Sequence, residues 1–150
     1  MKTGIIGLVF LGMMFTSCSN QEISSAKVPS VVLNSVQEKY PAAKEVGWKK
    51  SGVFYEAEID LNDSIDLTVQ VNEAGKLMMQ KQNILQSEIP AAVLTTVQTR
   101  YKDYTIDDVE KLEKEGIVYY QLELQVKSKK DLNLVFAANG REEKTVSFWD

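Results

Sequence analysis

Glu56, Glu58 and Asp60 alternate with apolar neighbours in the run Tyr55-Glu56-Ala57-Glu58-Ile59-Asp60-Leu61. In an extended strand that spacing lines three carboxylates along one face, about 7 Å from one to the next. Glycosidases use two carboxyl groups at comparable separations as acid and nucleophile or base. An acidic ladder of this kind is also how a solvated strand face resists edge pairing, and the pattern favours that reading. Asp60-Leu61-Asn62-Asp63-Ser64-Ile65-Asp66 has the outline of a calcium loop. However, Ile65 stands where such a loop needs glycine, and Val71 where the bidentate glutamate belongs. A hairpin turn without metal is expected instead. Ser24-Ser25-Ala26-Lys27 has the Ser-x-x-Lys spacing of serine acyl-enzymes, but the companion motifs are missing and the stretch reads as a tether.

Composition narrows the chemistry further. The 150 residues include no histidine and one cysteine, Cys18. A Ser-His-Asp or Cys-His relay cannot be built from this chain, nor can an imidazole-ligated zinc or haem iron. One cysteine makes neither an internal disulfide nor a thiolate cluster. A formal net charge of −4 argues against nucleic acid as partner. With 44% hydrophobic residues the chain can bury a real core. A non-enzymatic protein without a cofactor is the expectation.

The first residues read as a targeting segment. Lys2 precedes the twelve-residue apolar run Gly4 to Phe15, which is too short for an ordinary membrane span. Phe15-Thr16-Ser17-Cys18 comes next, and then the polar Ser19-Asn20-Gln21-Glu22. The arrangement resembles a bacterial lipoprotein signal, which implies cleavage before Cys18 and diacylglyceryl attachment to its thiol. The alternative is a plain secretory signal in which Cys18 is incidental. Two or more acyl chains would anchor the protein stably. Residues 1–17 are thus expected to be the signal peptide and 18–27 a flexible tether. The lack of Asp after Cys18 points to the outer membrane, with the body facing the periplasm.

The elements that position the remaining residues come from an internal repeat. Val28 to Tyr40 aligns with Ile89 to Tyr101 at an offset of 61, with six of thirteen positions identical. Tyr55 to Lys76 then aligns with Tyr120 to Arg141 at an offset of 65, so copy two carries four extra residues between its helix and its second strand. Each copy opens with a helix. Pro29 and Pro90 suit the first turn, and Val32, Leu33, Val36 and Tyr40 share one face, as do Val93, Leu94, Val97 and Tyr101. Strict alternation marks the strands at Tyr55–Leu61 and Tyr120–Val126, and Leu67–Val71 and Leu132–Phe136 supply the next ones. Asn62-Asp63-Ser64, Ser128-Lys129-Lys130, Ala74-Gly75 and Asn139-Gly140 read as hairpin turns. Phe148-Trp149 is expected to finish the last strand, or to join a partner interface.

The expected fold is α+β: a helix plus a four-stranded antiparallel sheet, twice, in repeats 28–86 and 87–150, forming a pseudo-twofold pair with the helices on one sheet face. The other face would show Phe54, Glu56, Glu58, Thr68, Gln70, Tyr119, Gln121, Glu123 and Gln125, the candidate binding residues. Phe54 and Tyr119 are outward aromatics among polar neighbours; they suit a protein-binding surface, or are ordinary exposed aromatics. Tyr40, Trp48, Tyr55 and Tyr101 read as core, with hydroxyls at the rim.

Val28-Pro29, Tyr40-Pro41, Trp48, Phe54-Tyr55-Glu56-Ala57-Glu58, Gly75 and the Ile89-Pro90 restart together resemble the PepSY-like, beta-lactamase-inhibitor-protein-like family of exported bacterial proteins. The resemblance spans nearly all of the chain after the tether. It implies a small envelope module that binds a protein or peptide partner and could inhibit or modulate a periplasmic enzyme such as a peptidase. The competing expectation is a small-ligand or peptide carrier that uses a cleft between the repeats, lined by Met78, Met79 and the helix ends.

Overall fold

The computed structural model describes residues 21–62, 65–127 and 129–150. The expected signal peptide and Cys18 lie outside these residues, as do Asp63, Ser64 and Ser128 of the expected turns. Among the described residues no helix is long and apolar enough to cross a membrane.

Two helices, α1 (Ser30–Lys39) and α2 (Ala91–Arg100), pack on one antiparallel sheet. Its strands are β1 (Gln21–Glu22), β2 (Val46–Ser51), β3 (Phe54–Asn62), β4 (Ile65–Asn72), β5 (Leu77–Asn83), β6 (Thr105–Lys114), β7 (Ile117–Gln125) and β8 (Leu132–Ala137). They lie side by side in sequence order, so the sheet is a continuous meander. The repeats join through β5 and β6, paired from Met79↔Lys114 to Asn83↔Glu110.

Within the expected tether, Gln21–Glu22 pairs as β1 with Lys50 and Lys49 of β2, so this part is strand and not free chain. The topology corrects two further expectations. Since every neighbouring pair is antiparallel, β6 runs in the same sense as β2, and copy two repeats the order of copy one further along the sheet. The copies are therefore related by a step across one sheet, not by a twofold axis, which would reverse the order. Among the described residues copy one has four strands, β2 to β5, and copy two has three, β6 to β8. After Gly140, strand pairing among the described residues is reduced to the isolated bridge Phe136↔Glu142, flanked by an Ala137 N–H bond to the Arg141 carbonyl at 2.9 Å and a Glu143 N–H bond to the Val135 carbonyl at 2.7 Å. The four extra residues of copy two lengthen its first strand, ten residues in β6 against six in β2.

The helices form where the apolar spacing places them. Val32 and Val36 of α1 are buried, as are Val93 and Val97 of α2. Pro29 and Pro90 sit one residue earlier than expected, at the N-cap, where extended φ/ψ suits proline and its carbonyl takes the first helical bond. Under α1 lie Trp48, Tyr55, Ala57, Ile59, Leu67, Val69 and Val71. Under α2 lie Val109, Leu122, Leu124 and Phe136, with Tyr120 packed against them. Burial of each such aliphatic side chain contributes roughly 1.5–3 kcal/mol. Because strand side chains alternate, this fixes the opposite, helix-free face as the one carrying Phe54, Glu56, Glu58, Tyr119, Gln121 and Glu123.

Both copies tie their helices to the sheet in the same way. The Tyr40 hydroxyl donates to Gln80, and the Tyr101 hydroxyl donates to Glu142 Oε2 at 2.8 Å. Burial first, then the Glu113 charge, pushes the Tyr40 phenol up to about 12. Tyr101 is also pushed up to about 12, by burial first and then by Glu142.

Candidate functional site on the helix-free face

The sequence pattern treats the helix-free face as solvated, and the structure corrects this at its centre. Glu56 is 4% exposed, Gln70 9% and Gln121 1%. Their cover is the chain's own segment Lys144–Asp150, which leaves the sheet edge after Glu143 and brings Trp149, 8% exposed, onto the middle of this face. Phe148-Trp149 therefore neither ends a strand nor stands free.

Register explains why these side chains meet. Glu56 of β3 stands opposite Gln70 of β4. Glu110 of β6 stands opposite Gln121 of β7, and Lys81 of β5 lies diagonally across from Glu110, since Asn83 is its direct partner. Five successive strands thus contribute one polar side chain each to a row. Gln121 uses its amide as a second main chain: the Trp149 N–H donates to Gln121 Oε1 at 3.2 Å, and Gln121 Nε2 donates to the Trp149 carbonyl at 2.8 Å. Gln121 Nε2 also donates to Glu110. Lys81 Nζ donates to the same Trp149 carbonyl at 2.8 Å, pairs with Glu110 at 3.1 Å and lies 5.3 Å from the indole centroid. The indole N–H donates to Glu56 Oε1 at 3.3 Å, beside the Gln70 amide, also at 3.3 Å.

Such a cluster is stable only if each polar group is paired, because an unpaired buried donor or acceptor costs about 1–3 kcal/mol. Among the described residues no buried side-chain nitrogen or oxygen lacks a partner. Leu112 and Val135 provide the apolar floor on this face. Leu112 lies in register between Lys81 and Tyr119, Val135 beside Gln121, and both are buried.

The other candidate residues lie around this centre. Phe54 and Thr68 are half-buried on the copy-one side, Tyr119 and Glu123 on the copy-two side, and Gln125 is exposed with its amide donating to Asp107 Oδ1 at 2.5 Å. Glu58 is exposed and ion-paired with Lys49, whose ammonium that hydrogen bond holds above the usual lysine range. Glu56 and Glu58 are therefore engaged with different partners, an arrangement unlike a glycosidase pair. No group of three or more Asp, Glu, Cys or His side chains suited to a metal occurs among the described residues. Glu123 is held above the usual carboxylate range by burial first, then by Asp108, Asp107, Asp150 and Glu110. The face is consequently acidic where the segment ends.

Sequence reasoning missed Lys81, Glu110, Leu112 and Val135 as parts of this site, and offered Trp149 only as a strand end or a partner contact. Leu112 in Glu110-Lys111-Leu112-Glu113-Lys114 and the unbroken apolar run Leu134-Val135-Phe136 carried a signal. Each puts an apolar side chain on an otherwise polar face, which requires a cover.

A second feature lies between the copies. Lys39, Lys76, Leu77, Met78, Met79 and Gln80 of copy one and Glu113, Glu115 and Gly116 of copy two line a half-open hollow of about 350 Å³. It includes Met78, Met79 and Lys39 at the end of α1, but no residue of α2, whose end the expected cleft also used.

Comparison with known proteins agrees with the duplicated architecture. The family model described as beta-lactamase-inhibitor-like, PepSY-like matches twice, over residues 13–79 and 72–141. Three solved structures from Bacteroides share the fold. A DUF2874 family protein from Bacteroides uniformis is 19% identical with a TM-score of 0.70, covering 76% of this chain and 85% of its own. A Bacteroides eggerthii protein, provisionally described as periplasmic, is 18% identical with a TM-score of 0.71, covering 77% and 85%. A BLIP-like protein from Bacteroides fragilis is 23% identical with a TM-score of 0.65, covering 77% and 82%. No curated protein matches the chain.

Proposed function

Because this chain belongs to the beta-lactamase-inhibitor-like, PepSY-like family, we propose that it is a non-enzymatic binding protein of the cell envelope. It is lipid-anchored at Cys18 and takes a protein or peptide partner on the helix-free sheet face. The observation that carries this reading is the row of Glu56, Gln70, Lys81, Glu110 and Gln121, which already holds the main chain and side chain of a polypeptide segment. A surface that pairs both a backbone N–H and its carbonyl is built for peptide, because these groups recur in every residue. Phe54 and Tyr119 supply aromatic contact at the two sides, and the partner class is a periplasmic enzyme such as a peptidase, held or modulated without chemistry.

Capture from envelope extract tests the face. The Phe54→Ala/Tyr119→Ala double variant should lose partners that the native protein and a helix-face control, Gln98→Ala, retain; equal capture by all three sinks the face assignment. Cys18→Ser should move the protein from membrane to soluble fraction, and unchanged fractionation would remove the anchor. The hollow beside Met78 and Met79 supports a second reading, a small-ligand carrier. A thermal shift of several degrees with one lipid or peptide class, abolished by Met79→Glu, would favour it.

A further inference from the structure

Lys144–Asp150 binds its own sheet in the manner of a ligand. It contributes no regular strand after Glu143, and the contacts that seat it converge on one residue, Trp149. Two kinds of recognition are separable there. Gln121 reads the backbone, which any residue offers. Glu56 reads the indole N–H, which phenylalanine lacks and a tyrosine hydroxyl would present elsewhere, while the Lys81 ammonium over the ring favours the most electron-rich aromatic face, that of tryptophan. The seat thus suits the tryptophan through both its backbone and its ring.

We infer that the helix-free face is a receptor for an extended segment of another protein that carries a tryptophan, with Lys144–Asp150 as the resident competitor that such a segment displaces. The inference rests on the binding role proposed above and specifies the occupant. Displacement is feasible by mass action. A tethered segment competes at an effective concentration on the order of 1 mM, so a segment whose own Kd for the open face is about 10 μM weakens any ligand of that face roughly 100-fold and does not exclude it.

The test uses the labelled peptide Lys-Thr-Val-Ser-Phe-Trp-Asp, which copies residues 144–150, with anisotropy as the readout. The chain lacking residues 144–150 should bind it, and the full chain should bind it at least 30-fold more weakly. Within the peptide, Trp149→Phe should weaken binding about 10-fold, the loss of one hydrogen bond to a charged group. Should the truncated chain fail to fold, full-length Trp149→Ala replaces it with the same expectations. Equal affinity for the open and full chains, no binding to a folded open chain, or unfolding of both variants would each overturn the inference; the last would make the segment part of the core. Emission from Trp149 in a Trp48→Phe background separates this result from the wider reading. A partner that binds through Phe54 and Tyr119 while Trp149 stays buried leaves the face intact and removes displacement.

Discussion

After Gly75 the chain runs into β5, a seven-residue strand paired with β4 on one side and β6 on the other. After Gly140, the same place in copy two, the chain makes the first bonds of a strand and then leaves the sheet. At the offset of 65, Ile84 corresponds to Trp149. Ile84 packs beneath α2 on the helix side, whereas Trp149 lies buried on the opposite face. What differs is the neighbourhood. β5 has a partner strand on each side, but its counterpart has only β8, and an edge strand exposes unpaired backbone groups. The return across the face pairs the Trp149 backbone with Gln121, on the same face where Leu112 and Val135 are buried. Duplication supplied the same hairpin twice, and position within the sheet decided whether it became a seam or a cover.

The hairpin glycines should carry the largest energetic difference between the two copies. Gly75 and Gly140 both have positive φ, +79° and +83°, and both lie under the first turns of their helices. A Cβ at Gly140 would stand 2.4 Å from the Ala92 carbonyl oxygen, against 2.9 Å from that of Val31 at Gly75. Gly140→Ala should cost about 4 kcal/mol and Gly75→Ala about 3, from strained φ plus overpacking. Gly116→Ala, with positive φ but nothing within 4 Å, should cost only about 1. Urea midpoints measure all three; equal losses would mean that backbone strain alone sets the cost and the helix contact is immaterial.

Trp149→Ala comes next, with an expected loss of about 3 kcal/mol for removal of a buried indole and its hydrogen bonds. The comparison predicts a spatial signature as well. Amide exchange should quicken in Lys144–Asp150 while α1, α2 and β5 stay protected, because the cover adds to a sheet that is already complete. Quickened exchange throughout copy two would instead place the segment in its folding core.

Much of this was readable from the chain. Val32 and Val36, Val93 and Val97 recur at helical spacing, and Ala74-Gly75 and Asn139-Gly140 require turns, so both helices and the main hairpins come from local chemistry. The end of the chain does not. Thr145, Val146, Phe148 and Trp149 have the β-propensity of a last strand, yet the bonds of Trp149 to Gln121, Lys81 and Glu56 hold the segment on the helix-free face instead. Alternation likewise put Glu56, Gln70 and Gln121 on the correct face. Their burial depends on a segment that arrives from 28 residues beyond Gln121 or further, which no local pattern encodes.

The two helix-anchoring tyrosines sharpen what the copies share. Tyr40 and Tyr101 each donate one hydroxyl bond, so Tyr40→Phe and Tyr101→Phe should each cost about 1 kcal/mol near neutral pH. Both phenols are raised to about 12 in the folded chain against 10.0 for an unperturbed tyrosine. The unfolded chain ionises first, so the stability they contribute is complete below pH 10 and is lost as pH rises from 10 towards 12. Each Phe variant should flatten that alkaline decline, and the double variant should flatten it most. A decline unaltered in both would assign it to other groups.

The smallest effect tests the acidic end of the cover. Glu123 has no tyrosine-like role in holding the fold; its carboxylate is disfavoured by burial and by the charges of Asp108, Asp107 and Asp150. A carboxyl group with a raised pKa gives its full contribution to stability below the unfolded value near 4.5, and loses it as pH rises through the higher folded value. Native protein at neutral pH therefore carries a small penalty that Glu123→Gln removes. The variant should be more stable by about 0.5 kcal/mol at pH 7, a magnitude typical of partly exposed charges, with the advantage shrinking to nothing below pH 4.5 and falling with added salt. Combined with Trp149→Ala, the gain should shrink as well, because releasing the segment takes Asp150 away from Glu123 and leaves only Asp107, Asp108 and Glu110 to repel it. Additivity of the two substitutions at pH 7 would show that Asp150 contributes nothing to the repulsion, and that the cover ends without electrostatic cost.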